Sequence, residues 1–360
     1  MSDGKEGLTL FFLNIYSGNQ ILRFNMDISV ISDNVRWKNV LNELGKFDFV
    51  HTYDFHKVSA DNGEGEPLLF VATGASGRVL GCWPTLKREI PGTDYVDLSG
   101  VYGYGGPLFA EDVETGPVLD ALWHGMEEFG AVSLFSRMHP LFVEGIEGEA
   151  ERGERLGDVV VIEVKPDEPH LPTYRGSHRR EIVNAQKKGL VLEVDWDCGE
   201  LKDFVGIYQS AMRDLNAREY YLFNEAYFQK IAAAEDFKVF IIFATFEGVK
   251  VAASMFIITN DVMQYYLSGS DYAYRNLSAS KAIIAKAHEL AGELGVRQFI
   301  LGGGVGSERD SLFKFKAGFS NNFKPFYVVK KVLSEQVYQD LCEAKQVSPD
   351  RSGFFPPYRQ

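Results

Sequence analysis

The stretch FILGGGVGSERDSLFKFKAGF, residues 299 to 319, gathers the residue types best able to do chemistry in this chain. Gly302, Gly303 and Gly304 lack a β-carbon, so the backbone can approach a reacting carbonyl closely and offer it bare amides. Lys314 and Lys316 follow, and an ammonium at either position suits an anionic phosphate. Upstream, DVMQYYLSGSD sets Tyr265, Tyr266, Ser268 and Asp271 close together, with hydroxyls and a carboxylate able to relay a proton. These types suit amide formation from an activated ester or thioester, in which a neutral amine attacks, donors steady the oxyanion and a proton departs. No Cys-His or Gly-x-Ser-x-Gly arrangement supplies a covalent nucleophile, and no Gly-Lys-Ser/Thr follows the glycines to make a P-loop. The plainer reading is a tight bend followed by a strand. In a strand Lys314 and Lys316 face solvent while Phe313 and Phe315 face the core.

The elements that must position these residues show in an internal echo. Phe55-His-Lys57-Val58-Ser-Ala60 is answered by Phe228-Gln-Lys230-Ile231-Ala-Ala233 at an offset of 173, and Leu68-Leu69-Phe70 by Ile241-Ile242-Phe243. After a one-residue slip, Thr73 answers Thr245 and Arg78-Val79 answers Lys250-Val251, so each copy reads helix, strand, turn, strand. The second copy continues with a strand over 261–270. A helix over 278–295 follows, with Ile283, Ile284, Ala287, Leu290, Ala291 and Leu294 on one face. Ser278 or Ser280 caps that helix and Gly295 stops it. A strand over 297–301 then implies a parallel crossover, with ligands at the carboxyl ends of its two strands. The apolar run Leu8 to Leu13 reads as a first strand, and the charged, glycine-rich stretch 144–158 as a surface connection. Tyr220-Tyr221 and Tyr265-Tyr266 each read as half core and half surface.

Composition narrows the function. At 360 residues the chain holds two ordinary α/β domains with mixed sheets, and a net charge of −13 argues against coating DNA. Three scattered cysteines make no disulfide framework, the seven histidines show no metal spacing, and a reducing cytoplasm is the expected home. Leu8 to Leu13 is too short to span a bilayer, which leaves at most peripheral membrane contact.

The crossover with its preceding meander resembles the GNAT acyltransferase fold. The loop by which such enzymes hold coenzyme A, Gln/Arg-x-x-Gly-x-Gly/Ala, is matched here by Arg275-Asn-Leu-Ser278-Ala-Ser280, with serine at both small positions. Two GNAT-like domains in tandem, YGYGGP at residues 102 to 107 and LGGGVGSERDSLFKFKAGF together resemble the FemABX-related transferases, in a branch found with surface-polysaccharide genes. The resemblance runs from about Phe47 to Lys331. It implies an N-terminal domain of residues 1–160 to which 325–360 return, and a C-terminal domain of residues 161–324. The best-known members of that family move an amino acid from aminoacyl-tRNA to an amine of a peptidoglycan precursor. Carried over, the family's phosphate-facing lysine falls on Lys316 with Lys314 beside it, its substrate-contacting arginine on Arg213, and its strand tyrosines on Tyr265 or Tyr266. Its basic helix start falls on 174–188, with Arg175, Arg179 and Arg180, and Tyr102 and Tyr104 join the substrate-binding set.

The reading is therefore an acyl or aminoacyl transferase acting on an amine of a nucleotide- or lipid-linked saccharide or peptide. Its donor is aminoacyl-tRNA or acetyl-CoA, with no tightly bound cofactor and no metal. Its rivals are an acetyl-CoA-dependent N-acetyltransferase of an amino sugar, a non-catalytic binding module on the same fold, and a tRNA-independent ligase with a carrier-protein donor.

Overall fold

The structure, a computed structural model, describes residues 11–12, 26–142, 153–216 and 222–360; Tyr220-Tyr221 lie outside them, as does most of 144–158. The chain divides into two compact units, Met1–Leu156 with Phe326–Gln360, and Gly157–Pro325.

Unit 1 is built on β1 (Phe11–Phe12), β2 (Met26–Ile31), β3 (Glu66–Gly74), β4 (Val79–Glu89), β5 (Val96–Ser99), β6 (Leu108–Phe109) and β7 (Ala131–Arg137). Helices α1 (Asn34–Leu44) and α2 (Tyr53–Asp61) precede the β3–β5 meander, and α3 (Thr115–Glu128) leads into β7. The strands run in the order β1-β2-β3-β4-β5-β7, antiparallel until β5 meets β7 in parallel. Each short helix starts on a side-chain cap: Asp33 accepts from the Arg36 amide and Thr52 from the Phe55 amide.

Unit 2 repeats the plan with β8 (Glu154–Glu163), α4 (Gly176–Lys187), β9 (Val191–Asp195), α5 (Leu201–Asp214), α6 (Glu225–Ala232), β10 (Lys238–Phe246), β11 (Val249–Thr259) and β12 (Val262–Ser270). α7 (Ala279–Glu293), β13 (Gln298–Gly302) and α8 (Ser311–Lys316) complete it. Its strand order is β9-β10-β11-β12-β13-β8, again antiparallel except for the parallel pair β12/β13. The duplication reaches fine detail. Asn224, the cap of α6, stands 172 residues after Thr52, β10 begins 172 after β3, and both meanders slip register at the matching place, Ala72/Thr73 and Ala244/Thr245. The structural offset is thus 172 from the helix cap onward, one less than the side-chain echo gives at Phe55 and Leu68 and equal to what it gives from Thr73.

β3 and β10 each bury five consecutive residues, Leu68–Ala72 and Phe240–Ala244, because helices cover both faces of these central strands. On α7 the expected face holds for Ile283, Ile284, Ala287, Leu290 and Ala291, all buried, but Leu294 lies past the helix end and is 43% exposed. Two sequence readings change here. Residues 154–158 are not part of a surface connection but the first half of β8, exposed over 154–156 and buried by Asp158, and residues 312–316 form a helix rather than a strand. Asp310 caps that helix by accepting from the Phe313 amide at 2.8 Å, so Phe313 turns into the core and Phe315 is only half-buried.

The chain then enters β14 (Phe323–Val332), whose Val328–Val332 pair antiparallel with β7, and α9 (Glu335–Ala344). The last residues lock onto unit 1 around Asp97, which is 0% exposed. Arg88 Nε donates to it at 2.8 Å, Arg359 Nη2 at 3.0 Å and the Tyr358 hydroxyl at 3.1 Å. Arg359→Gln removes one of two cations from a buried carboxylate. Urea unfolding should show a loss of about 1.5–3 kcal/mol, and unchanged stability would mean that Arg88 alone suffices.

Candidate functional site

The parallel pair of unit 2 pairs Val262 with Gln298, Met263 with Phe299 and Gln264 with Ile300, and there it ends. Both strands turn away from each other at that point. β13 shifts register against β8 between Ile300 and Gly302. β12 shifts against β11, where Phe256 faces Tyr265 and Met255 faces Leu267, so Tyr266 is the extra residue of a bulge. A bulge bends its strand and re-aims its side chains. The edges of β12 beyond Gln264 and of β13 beyond Ile300 therefore diverge and leave a notch between them.

The two tyrosines leave the bulge on opposite faces. Tyr265 packs on Phe256, 5.7 Å between centroids, beside the α7 core, and its hydroxyl donates to Ser268 Oγ at 2.7 Å. Burial raises its pKa, so the phenol stays protonated at neutral pH. Tyr266 shares a hydrogen bond with the Tyr227 hydroxyl of α6.

On the other side of the notch the glycines make a turn that other residues could not. Gly302 sits at φ 87, and a β-carbon on Gly304 would stand 2.0 Å from the Glu308 carbonyl oxygen. The Lys316 ammonium, 8% exposed, reaches back from α8 and donates to the Gly303 carbonyl at 2.7 Å. Burial lowers its pKa to about 8, opposed by the nearby Asp310 carboxylate. Lys314 is exposed, and its carbonyl accepts from Arg175 Nη1 at 3.4 Å.

The start of α7 is already occupied by protein. Ser278 takes a left-handed backbone, φ 52, and its Oγ donates 2.7 Å to Glu181 Oε2 of α4 instead of capping a helix amide. Lys281 Nζ holds the same oxygen at 2.5 Å, and that hydrogen bond keeps the Glu181 pKa low. A carboxylate thus sits beside the helix end where an anion would otherwise be favoured. The outer face of α4 is basic, with Arg179, Arg180 and Lys187 exposed and in no ion pair among the described residues.

Tyr265, Tyr266 and Ser268 stand on β12 just past the last parallel pair, and Gly302, Gly303 and Gly304, with Lys316 on the Gly303 carbonyl, stand just past it on the β13 side. Other expected residues fall elsewhere. Asp271 caps the following turn by accepting from the Ala273 amide at 2.8 Å, and it stands seven residues, roughly 20 Å of strand, beyond Gln264. Arg213 is exposed in the last turn of α5. Arg175 and Arg179 belong to the start of α4, with Arg179 Nη1 donating to the Pro172 carbonyl at 3.4 Å. Tyr102 and Tyr104 belong to unit 1, where Tyr104 meets Phe326 edge-on at 5.2 Å. Sequence reasoning missed Asp310, Tyr227 and the Glu181–Lys281 pair.

Residues 173–315 match the family model of an acetyltransferase (GNAT) domain. The chain carries a GNAT domain. Its match begins ahead of α4 and ends in α8 one residue short of Lys316, so it contains the basic helix and both strands of the notch. No curated protein sequence matches the chain. Among solved structures it is similar to FemX, at 14% identity and a TM-score of 0.67, over 86% of this chain and 98% of FemX. It is also similar to L-PGS from Bacillus licheniformis, at 13% identity and a TM-score of 0.55, over 89% of this chain and 98% of that one. A third likeness is the C-terminal domain of a putative lysylphosphatidylglycerol synthetase from Agrobacterium fabrum, at 14% identity and a TM-score of 0.54, over 89% and 99%. At these identities the likenesses establish the fold alone, which this chain shares with FemX and L-PGS. Among the described residues no helix is long and apolar enough to cross a membrane, and no group of three or more His, Cys, Asp or Glu could hold a metal ion.

Proposed function

We propose that this protein transfers an acyl or aminoacyl group to an amine of a cell-envelope precursor, forming an amide in the notch between β12 and β13. The observation that carries the reading is the divergence of that parallel pair at a bulge bearing two tyrosines, opposite a glycine turn held by a buried lysine. The likeness to FemX and L-PGS supports an acceptor of the cell envelope, a peptidoglycan peptide or an amino sugar. The neutral acceptor amine attacks the donor carbonyl, main-chain donors along the diverging edges face the oxyanion, and the bond from that carbonyl to the donor's ester oxygen or thioester sulfur breaks as the amide forms, while the proton lost by the amine passes through the neutral Tyr265 hydroxyl to the leaving oxygen or sulfur. Lys316, titrating near 8, exchanges a proton at working pH and keeps the Gly303 carbonyl fixed.

Aminoacyl-tRNA is the favoured donor. Glu181 at the start of α7 opposes a pyrophosphate there, while the outer face of α4 suits a phosphate backbone. Arg179→Glu with Arg180→Glu should weaken tRNA binding and flatten its dependence on salt, as measured by filter binding between low and moderate ionic strength. Unchanged affinity across that range removes α4 from the interface. The match to an acetyltransferase model keeps acetyl-CoA as the second reading. Mass spectrometry of nucleotide-linked amino sugars and peptides, incubated with charged tRNA or with acetyl-CoA, decides between them. An amide product with acetyl-CoA alone overturns the first reading, and no product with either donor overturns both.

A further inference from the structure

Unit 2 holds a cavity of about 400 Å³ away from the notch. Glu163 on its wall pairs with Gln298, the first residue of β13, four residues and roughly 13 Å of strand before Gly302. Its other walls come from the segment ahead of α4, from His288 of α7 and from the 317–322 loop. The volume lies in the range of small-molecule sites.

Three groups on these walls carry the argument. His288 is 7% exposed, and the Tyr174 hydroxyl meets its Nδ1 at 2.7 Å. Burial raises the Tyr174 pKa, so that hydroxyl keeps its proton and donates it; burial lowers the His288 pKa to about 4, so the ring is neutral at pH 7. With Nδ1 accepting, the ring proton resides on Nε2. That donor has no protein partner among the described residues. Arg175 lines the same cavity, and its one side-chain hydrogen bond is the long contact to the Lys314 carbonyl. Glu163 has no ion pair among the described residues, whereas Lys165 and Glu168 satisfy each other at 3.5 Å. Beside His170, Thr173, Ser320, Asn321 and Asn322, which also line the cavity, this leaves one cation and one neutral N–H donor, which ask for an anion, and one carboxylate, which asks for a cation.

We infer that this cavity is a second ligand site for a small zwitterion of the amino-acid class, with Arg175 and His288 Nε2–H taking its carboxylate and Glu163 its ammonium. A lone phosphate would meet Glu163 unpaired, and a neutral sugar would leave both charges unanswered. The inference does not rest on the transfer reaction, because the cavity and the notch share no residue.

The test is calorimetry of the intact chain with the free amino acids one by one, and with inorganic phosphate and N-acetylglucosamine. At least one amino acid should bind and the two controls should not. Glu163→Gln, a surface change, should weaken that binding by about tenfold or more, and His288→Gln likewise, since each removes a charged or charge-assisted hydrogen bond. Lys316→Met should leave it unchanged. The inference is overturned if no amino acid binds at millimolar concentration, if phosphate or the sugar binds in its place, if Glu163→Gln binds as tightly as the native chain, or if Lys316→Met abolishes binding and so moves the ligand to the notch.

Discussion

Lys316→Met should lower the efficiency of amide formation by roughly one to two orders of magnitude, the weight of a charge-assisted hydrogen bond of ~1.5–3 kcal/mol. The methionine keeps most of the apolar stem and removes the donor that fixes the Gly303 carbonyl, so the glycine turn loses its anchor while α8 keeps its packing. Steady-state kinetics with whichever donor the mass spectrometry selects reads the effect, and urea unfolding at pH 7 should change little, because the lost hydrogen bond and the relieved burial of the charge offset each other. The same residue leaves a signature in stability. Its pKa is about 8 when folded and near 10.5 when unfolded, so between those values the unfolded chain binds more protons and stability rises with pH. Below about pH 8 both states are charged and the burial cost is fully present. The native chain should gain stability from pH 8 to 10.5 relative to Lys316→Met. Normal turnover in the variant would reduce the turn to architecture, and parallel pH profiles would show that the ammonium is not buried in solution.

Phe313→Ala should cost ~3–5 kcal/mol, as expected for an aromatic ring removed from a closed core. Phe313 is 4% exposed, its ring lies 5.3 Å from that of Phe323, and the Arg309 guanidinium covers it. Phe315 is half-buried against Phe319, so Phe315→Ala should cost only about 1–2 kcal/mol. Denaturant melts of the two variants give the comparison directly. If Phe315 proves the costlier deletion, the helical register of residues 311–316 is wrong and the strand reading returns. Because α8 carries Lys316, Phe313→Ala should reduce turnover as well, but together with stability, unlike Lys316→Met.

That register shows why some of the site could be read in the sequence and some could not. The meanders, α7 and the parallel crossover announce themselves through unbroken apolar runs and a helical period sustained over four turns. α8 has six residues, too few to display a period, and its alternating Phe and Lys imitate a strand. The missed signal was Asp310 followed by Ser-Leu-Phe, a helix cap ahead of an apolar residue three positions on. β8 escaped notice because its first residues are charged and face solvent, so only Val159–Ile162 look like a strand. That the tyrosines of β12 and the glycines of β13 end neighbouring parallel strands followed from the crossover. The closing of the α7 start by Glu181 did not, since it depends on the packing of α4 against α7 across 97 residues of sequence.

The division of the chain also sets a timetable for its birth. Gly157–Pro325 is contiguous, whereas the unit that begins first is finished last, by Phe326–Gln360. On the ribosome, β7 has left the exit tunnel long before Val328–Val332 exist to pair with it. At roughly 5–20 residues per second, the intervening stretch keeps that strand edge waiting on the order of ten seconds or more. A nascent chain with an open edge for so long is a natural client for a chaperone, and synonymous codon changes that slow translation between residues 157 and 325 would lengthen its exposure to aggregation.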